Sequence, residues 1–433
     1  MIRLLAATAL TSVLAGSSEI QAMLSPHPAA PPATPVFRAR ALLTPRDLNV
    51  FAGARARFHL TLAGVDVPAA SWSVVGAGTI DQQGDYAAPE RAGEDANVVA
   101  SVAGFAAAAA VHVVAPPSVT RPLAVISCYD DGSVDVRDAN ALSAVGTASI
   151  GSESAGIAVD ARRRLAFVAS GDRIAVLDLR TAQASSAQPV SGARFSEVVE
   201  VANEYVVATD NEAAAGHAGI RVFHLDAANR LTLRSSAAAG DTPEGIAVAP
   251  DERSFYVTNV NSNSVMRFAI GIDGRARLTR TAPTGHRPYG VAIDGARNLL
   301  FVADNDTATI SGTASRPGLE TFSLPSLRRI ARLSTGTQSA LPLGVVADAG
   351  ANRLFVTNEG DGNVVAYSVA PFRRVASAPT GRTPWLPAVD PHLQRLYVPS
   401  AMGNSFSVLD ERTLRPIGAN IPTCGYPVSI AIL

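Results

Sequence analysis

A short apolar phrase that ends in a small or polar residue occurs seven times in this chain. The copies are Leu123–Ser127, Leu165–Ser170, Tyr205–Thr209, Phe255–Asn259, Leu300–Asp304, Leu354–Asn358 and Leu396–Ser400. Their central valines are 39 to 54 residues apart. A period of this size with several strands per repeat is typical of a β-propeller. Because a single repeat cannot bury both faces of its sheet, the number of repeats sets the fold. The sequence therefore predicts an all-β, seven-bladed β-propeller.

The two ends of the repeat region complement each other. Most repeats begin with a glycine- and alanine-containing phrase such as Gly156–Asp160, which we expect to form the innermost of four strands. No such phrase precedes residues 123–128, but Val428–Leu433 supplies one at the other end of the chain. We therefore predict that the C-terminal strand closes the ring. This register places Cys128 opposite Cys424, which favours a disulfide over two unrelated buried thiols, and an exported protein permits one.

The region before the repeats divides into segments of different composition. Arg3 followed by the apolar run Leu4–Leu14 predicts an export signal that is too short to remain as a membrane anchor. We expect a periplasmic or secreted protein with no membrane span after cleavage. The predicted segments are a signal peptide (1–22), a Pro/Ala-rich linker (23–36), a β-sandwich (37–115), a short linker (116–121) and the propeller (122–433).

The segment 37–115 consists of short alternating runs separated by glycines, which favours a β-sandwich. Gly78–Ile80 and Gly84–Pro89 resemble bacterial immunoglobulin-like modules of exported proteins. The resemblance implies that Trp72 packs without a disulfide behind it, since the cysteine pair of antibody domains is absent. We expect the module to act as a spacer with no ligand of its own.

The composition excludes several functions. The net charge is −1, so nothing attracts the chain as a whole to nucleic acid or an anionic membrane. All 36 basic residues are arginine, which excludes Schiff-base chemistry and a Walker-A lysine. The sequence contains no Gly-x-Ser-x-Gly, His-Glu-x-x-His or Cys-x-x-Cys motif, so serine-hydrolase, zinc-protease and haem assignments lack support.

The phrase Tyr-Val-Thr-Asn at Tyr256–Asn259 is the one that names the YVTN family of β-propeller repeats, and Phe355–Asn358 and Phe301–Asp304 are near copies. The resemblance covers residues 122–433. It implies a seven-bladed propeller similar to lactonases and to surface-layer-type proteins. The chain departs from the pattern at Pro399, which replaces the threonine, and around Val198–Val207, where the glycine-alanine phrase is lost.

The loops that lead into the inner strands are expected to share a face with the loops after the second strands, over the mouth of the central channel. Their side chains predict an amphipathic bowl for a sugar or a small anion, the alternative being ordinary polar rim loops. The candidate residues are Glu244, His286, Arg287, Tyr289, Arg382, Trp385 and Tyr426. Among them, Glu244 and His286 are the candidates for acid–base work.

A divalent cation such as calcium is a further candidate ligand. Gluconolactonase-type propellers hold one with a set of Asn, Asp and Glu side chains, and Asn259, Asp304 and Asn358 with Glu197 or Glu244 offer such oxygens here. The alternative is that the three strand-end residues serve only the turns that follow them, because Asn and Asp favour turns.

The preferred functional hypothesis is an exported, non-catalytic scaffold that binds a small molecule or a cell-envelope protein. The rival is a lactonase-like hydrolase of a small sugar lactone. In that case Glu244 or His286 is the base that activates water, and Arg287 or Arg382 holds an anionic group of the substrate. A cell-surface adhesion component is a third alternative.

Overall fold

The structure is a computed structural model that describes residues 41–118, 120–151, 153–213, 217, 219–305 and 317–433. The predicted signal peptide and Pro/Ala-rich linker lie outside these residues. Arg40–Leu433 form one compact unit. Its described part is built of β-strands with one short 3₁₀ helix, Ala401–Gly403. Among these residues there is no helix with the length and apolarity needed to cross a bilayer.

The N-terminal module, residues 41–114, contains ten short strands. They are β1 Ala41–Thr44, β2 Asp47–Phe51, β3 Arg55–Arg57, β4 His59–Leu62, β5 Val65–Asp66, β6 Ser71–Gly76, β7 Thr79–Ile80, β8 Asp85–Ala87, β9 Asp95–Val102 and β10 Phe105–Val114. Strands β1, β4 and β5 form one sheet, β3, β8 and β7 form a second, and β2, β10, β9 and β6 are consecutive in a third. The alanine run of β10 is extended, as predicted from the valines that follow it.

The repeats form seven four-stranded blades, each antiparallel and numbered in chain order. Blade 1 contains β11 Leu123–Cys128, β12 Ser133–Asp138 and β13 Ala144–Ser149. Blade 2 contains β14 Ser154–Asp160, β15 Leu165–Ser170, β16 Arg173–Asp178 and β17 Gln183–Ser186. Blade 3 contains β18 Phe195–Val201, β19 Tyr205–Asp210, β20 Ile220–Leu225 and β21 Leu231–Ala237. Blade 4 contains β22 Pro243–Val248, β23 Ser254–Asn259, β24 Ser264–Ile270 and β25 Ala276–Pro283. Blade 5 contains β26 Pro288–Asp294, β27 Leu299–Asp304, β28 Gly318–Ser323 and β29 Arg328–Leu333. Blade 6 contains β30 Pro342–Asp348, β31 Arg353–Asn358, β32 Asn363–Ser368 and β33 Arg373–Pro379. Blade 7 contains β34 Ala388–Asp390, β35 Arg395–Ser400, β36 Ser405–Asp410 and β37 Ile421–Pro422.

The C-terminal strand β38, Pro427–Ile432, completes blade 1 as its innermost strand. It pairs antiparallel with β11, with Ile430 opposite Ile126 and Pro427 opposite Cys128. Each inner strand contacts the next one, from β38 through β14, β18, β22, β26, β30 and β34 and back to β38. The predicted all-β, seven-bladed ring and its closure by the chain end are therefore confirmed.

The predicted disulfide is present at the same place. Cys128 and Cys424 are bonded, with their Cα atoms 5.7 Å apart and a sequence separation of 296. The bond ties the loop before β38 to the end of β11, so it fastens the seam where the two chain ends meet.

The hydrophobic core lies between the blades. The second strands such as β11, β15, β19 and β23 are buried along their whole length, because a neighbouring sheet covers each face. Near the axis the sheets converge so closely that side chains are excluded. A Cβ atom on Gly290 would lie 2.2 Å from the carbonyl oxygen of Leu343 in the next blade. This crowding explains why glycine introduces most inner strands.

The N-terminal module is joined to blade 1. Strand β2 lies beside the outer strand β13 with Thr147 opposite Val50, so both belong to one eight-stranded sheet. The ring of Phe51 occupies the space over Gly146, where a Cβ atom would lie 2.4 Å from Cε1. The module thereby covers an outer edge that would otherwise offer unpaired backbone groups.

Candidate functional site

Two sets of loops meet on one face of the propeller. A left-handed residue precedes the inner strand directly in five blades, with φ between 50° and 55° at Glu153, Thr242, Arg287, Leu341 and Tyr426. In blade 7 the corresponding residue is Thr383, with φ of 58°, which precedes the bridge between Pro384 and Ser400. The residue after a second strand donates its N–H to the carbonyl of the left-handed residue, as Tyr129 does to Tyr426 at 3.0 Å and Glu359 does to Leu341 at 3.0 Å. The predicted convergence of the two loop sets is therefore present. Left-handed backbone at non-glycine residues is uncommon and is often found where a site requires it.

The threonine of the repeat phrase fixes the residue at the start of the next blade. Thr209 donates its hydroxyl to the carbonyl oxygen of Glu244 at 2.8 Å, and Thr357 does the same to Trp385 at 2.7 Å. Each hydroxyl also accepts an inner-strand N–H of its own blade, from Glu197 at 3.1 Å and from Gly344 at 2.9 Å. The phrase that identifies the fold thus also positions side chains at the channel mouth.

The mouth is lined by a continuous set of aromatic and charged side chains. The ring of Tyr426 lies 6.0 Å from those of Tyr129 and Trp385. The guanidinium of Arg194 donates to the hydroxyl of Tyr129 and lies 3.2 Å from the carboxylate of Glu153. The aromatic part of the mouth is therefore connected to its charged part across blades 1 to 3.

Two carboxyl groups form the charged centre of the site. Glu244 accepts hydrogen bonds from the Ser196 hydroxyl and from the Asn211 amide, the latter at 3.2 Å. Glu197 lies next to Ser196 in the chain, and its carboxyl group is over Gly156, whose missing side chain leaves the necessary space. Both glutamates are partly exposed while protein surrounds them, as expected for groups that line a channel.

The two carboxyl groups differ in their partners. Burial and, to a smaller extent, the negative charge of Glu244 raise the pKa of Glu197 to about 8. Burial also raises the pKa of Glu244, but hydrogen bonds from Ser196 and Asn211 and two nearby guanidinium groups act in the opposite direction. The negative charge of Glu244 is therefore the better stabilised of the two, whereas Glu197 keeps its proton near neutral pH.

The two guanidinium groups belong to Arg194 and Arg287. Arg287 lies 6.0 Å from the centre of the Tyr289 ring, a cation–π distance. Burial, followed by the charge of Glu244, raises the pKa of Tyr289 to about 12, so its hydroxyl remains a hydrogen-bond donor. The site therefore combines two carboxyl groups in different environments, a phenol and two cations.

The bowl predicted from the sequence is present in part. Glu244, Arg287, Tyr289, Trp385 and Tyr426 are joined to the mouth by the contacts above. The other two predicted members are placed differently. His286 is partly exposed and Arg382 is exposed, and neither side chain has a hydrogen bond or an ion pair among the described residues.

The three strand-end residues predicted as metal ligands make contacts within their own blades. Asn259 is buried and accepts the N–H of Gly240 at 3.0 Å, and Asp304 lies 3.2 Å from Arg332. Asn358 donates to the Thr335 carbonyl at 3.1 Å. Each contact lies within a single blade, and in the described ranges no three His, Cys, Asp or Glu side chains are grouped to hold a metal ion. The arrangement therefore fits the turn interpretation of these residues, and we derive no metal-dependent step from them.

Sequence reasoning missed five residues of the site, which are Tyr129, Arg194, Ser196, Asn211 and Glu359. Three of these residues, Tyr129, Asn211 and Glu359, directly follow a second strand, so the repeat alignment contained their position. Arg194 and Ser196 occupy the stretch where the glycine-alanine phrase is lost. The loss of the repeat pattern in this stretch was the sequence signal that could have identified them.

Comparisons with known proteins agree with this architecture. A family model described as lactonase, 7-bladed beta-propeller matches residues 205–316. Among curated proteins, protein cueball of Drosophila grimshawi is 36% identical over 66 residues, which are 15% of this chain and 11% of that protein. The chain thus spans about a tenth of this relative's length.

Solved structures resemble the chain over most of its length. A putative 6-phosphogluconolactonase from Bacteroides fragilis has a TM-score of 0.61 at 12% identity, with 73% of this chain and 99% of that chain covered. The periplasmic gluconolactonase of Pseudomonas aeruginosa has a TM-score of 0.58 at 14% identity, with 72% of this chain and 99% of that chain covered. The chain is a β-propeller similar to seven-bladed lactonases. These findings favour the lactonase alternative over the non-catalytic scaffold that the sequence led us to prefer.

Proposed function

We propose that the protein is a hydrolase that opens a small sugar lactone at the channel mouth. The observation that carries this proposal is the pair Glu197 and Glu244, in which burial raises the pKa of Glu197 to about 8, whereas Glu244 accepts hydrogen bonds from Ser196 and Asn211. Two carboxyl groups with separated pKa values are an acid and a base in one site. The partial match to a lactonase family model supports the reaction class.

The proposed reaction uses each group once. Glu244 takes a proton from a water molecule, whose oxygen attacks the lactone carbonyl carbon. The bond between this carbon and the ring oxygen then breaks. The ring oxygen leaves as a hydroxyl group after it takes the proton of Glu197, and the product is an open-chain hydroxy acid. In this proposal, Tyr289 and Arg287 donate hydrogen bonds to the oxygen that becomes negatively charged during the attack.

The aromatic part of the mouth suits a sugar ring. Trp385 and Tyr426 present ring faces and edges across blades 7 and 1, and apolar sugar faces pack on such surfaces. Arg194 and Arg287 favour a substrate with a carboxylate or phosphate group. We also propose that the protein is exported and that the N-terminal module is immunoglobulin-like. The apolar N-terminal run and the disulfide support export, since disulfides persist in oxidising compartments.

A panel of sugar lactones tests the proposal, with hydrolysis followed by proton release, in calcium and in chelator. Glu244→Gln keeps the size of the side chain but removes the base. We expect kcat/KM on the best substrate to fall by about 10³-fold, within the usual range for a general base. Glu252→Gln is the matched control, because Glu252 is exposed beyond the other end of β22.

The outcomes distinguish the hypotheses. Turnover that Glu244→Gln abolishes and Glu252→Gln preserves supports the hydrolase. Absence of turnover on every lactone, with tight binding of any of them, returns the scaffold hypothesis to first place. Activity that requires calcium and survives Glu244→Gln would contradict the role of Glu244 as the base.

A further inference from the structure

The outer strands of blades 3 to 6 carry a concentration of positive charge that the channel mouth does not use. Strands β21, β25, β29 and β33 contain eight arginines and no acidic residue. All eight are exposed, and they are Arg234, Arg277, Arg280, Arg328, Arg329, Arg332, Arg373 and Arg374. We call this surface the arginine arc. The outer strands of the other blades, β13, β17 and β37, contain no charged residue.

Most arginines of the arc are not paired with an acidic side chain. Arg277 pairs with Asp273 at 2.6 Å and Arg329 with Glu320 at 2.7 Å. In contrast, five members have no ion pair among the described residues, and these are Arg234, Arg280, Arg328, Arg373 and Arg374. In a chain of net charge −1, such a local excess of cations distinguishes these four outer strands from β13, β17 and β37.

Apolar side chains alternate with the arginines. Leu233, Leu278, Ile330 and Val375 are 48%, 50%, 49% and 38% exposed, one on each of the four strands. Between β21 and β25 a groove of about 470 Å³ is lined by Arg234, Ser235, Ser236, Arg275, Ala276 and Arg277. The cations and hydroxyl groups of this groove, together with the exposed apolar side chains on the four strands, suit a chain of acidic sugars, which offers anions, hydroxyls and apolar ring faces.

We propose that the arginine arc binds a flexible acidic polysaccharide. The shape of the surface selects this occupant. Four of the seven blades span about half of the circumference, so a planar membrane touches only part of the arc, whereas a flexible polymer follows all of it. The four strands contain no aromatic residue on which unstacked bases could pack, and double-stranded DNA is too stiff to follow the curve.

The test measures binding of heparin, a flexible sulfated and carboxylated polysaccharide, to the full chain at low and at physiological salt. A quadruple variant replaces Arg280, Arg328, Arg373 and Arg374 with glutamine. We expect its affinity to fall by about tenfold or more, with a shallower dependence on salt, because fewer counterions are released on binding. A matched control replaces four exposed arginines outside the arc, which are Arg55, Arg91, Arg162 and Arg415.

The control variant is expected to bind within about twofold of the wild type, since charge far from the site is screened. Equal losses in both variants would show that only total charge matters, and would overturn the proposal. A single-stranded oligonucleotide and vesicles containing phosphatidylglycerol are the comparison probes. Tighter binding of either probe than of heparin would also overturn it. Lactone hydrolysis by the quadruple variant is expected to be unchanged, so this test is independent of the proposed activity.

Discussion

Blades 3 and 4 are neighbours in the ring, but only blade 4 keeps the glycine that introduces the inner strand. Gly245 stands at this position in blade 4, and Glu197 stands at the equivalent position in blade 3, two residues after Phe195. In both blades a threonine of the second strand accepts the N–H of this residue, at 3.1 Å from Glu197 and 3.0 Å from Gly245. The backbone is therefore the same, and the difference is a carboxyl group. The glycine of the repeat lets the inner strands of neighbouring blades pack closely, whereas the glutamate that replaces it in blade 3 supplies a functional group.

Restoring the repeat in blade 3 is the strongest test of this comparison. Glu197→Gly removes the carboxylic acid and leaves a residue that the backbone accepts. We expect kcat to fall by about 10²- to 10³-fold, because the leaving oxygen loses its proton donor. In the wild type, activity should decline above about pH 8 as Glu197 loses its proton. Glu197→Gln should remove this decline along with most of the activity, and a pH profile with an unchanged alkaline limb would contradict the assignment.

Blade 1 departs from the repeat in a second way. In blade 4, Asn259 at the strand end accepts the N–H of Gly240 in the loop before the inner strand. In blade 1 the corresponding positions are Cys128 and Cys424, and they are bonded covalently. The seam of the ring has replaced a hydrogen bond with a disulfide. The other blades are continuous between these two positions, whereas blade 1 is assembled from both ends of the chain.

Removal of the disulfide should therefore destabilise the ring. We expect Cys128→Ser with Cys424→Ser to lower the free energy of unfolding by about 2–4 kcal/mol, measured by denaturant titration. The double variant Cys128→Asn with Cys424→Gly copies blade 4 and should recover about 1 kcal/mol through the hydrogen bond. If the double serine variant and the Asn–Gly variant are equally stable, the hydrogen bond copied from blade 4 does not stabilise the seam.

The sequence was sufficient for the ring and its seam, because both depend on repeated local patterns. The phrase around Val257, its six counterparts and the terminal strand Val428–Leu433 fix the number of blades and the closure. The acid–base pair was only half predicted. Glu244 follows the repeat and was named as a base, whereas Glu197 was assigned to a metal set, because its partner depends on how blades 3 and 4 pack. Neighbouring blades meet through contacts between residues far apart in sequence, which a repeat alignment does not contain.

The threonines allow a finer test of the same point. Thr209 holds the backbone of Glu197 and of Glu244, and Thr357 makes the same contacts in blade 6 with Gly344 and Trp385. We expect Thr209→Val and Thr357→Val to lower the free energy of unfolding by a similar amount, about 1–2 kcal/mol, because each leaves buried backbone groups without a hydrogen-bond partner. Only Thr209→Val should also lower kcat, by about tenfold, since it alone displaces the glutamates. Equal effects of both variants on kcat would show that the threonines act through stability alone.

His286 gives the smallest expected effect and tests which base the site uses. It lies beside Arg287 in the loop before β26, and the sequence made it a rival of Glu244. Its imidazole has no hydrogen-bond partner among residues in the described ranges, whereas Glu244 is oriented by Ser196 and Asn211. An unoriented base is a poor proton acceptor, because catalysis depends on position as well as on pKa. We therefore expect His286→Ala to retain kcat/KM within about threefold, and a loss of about 10²-fold would transfer the role of base to the histidine.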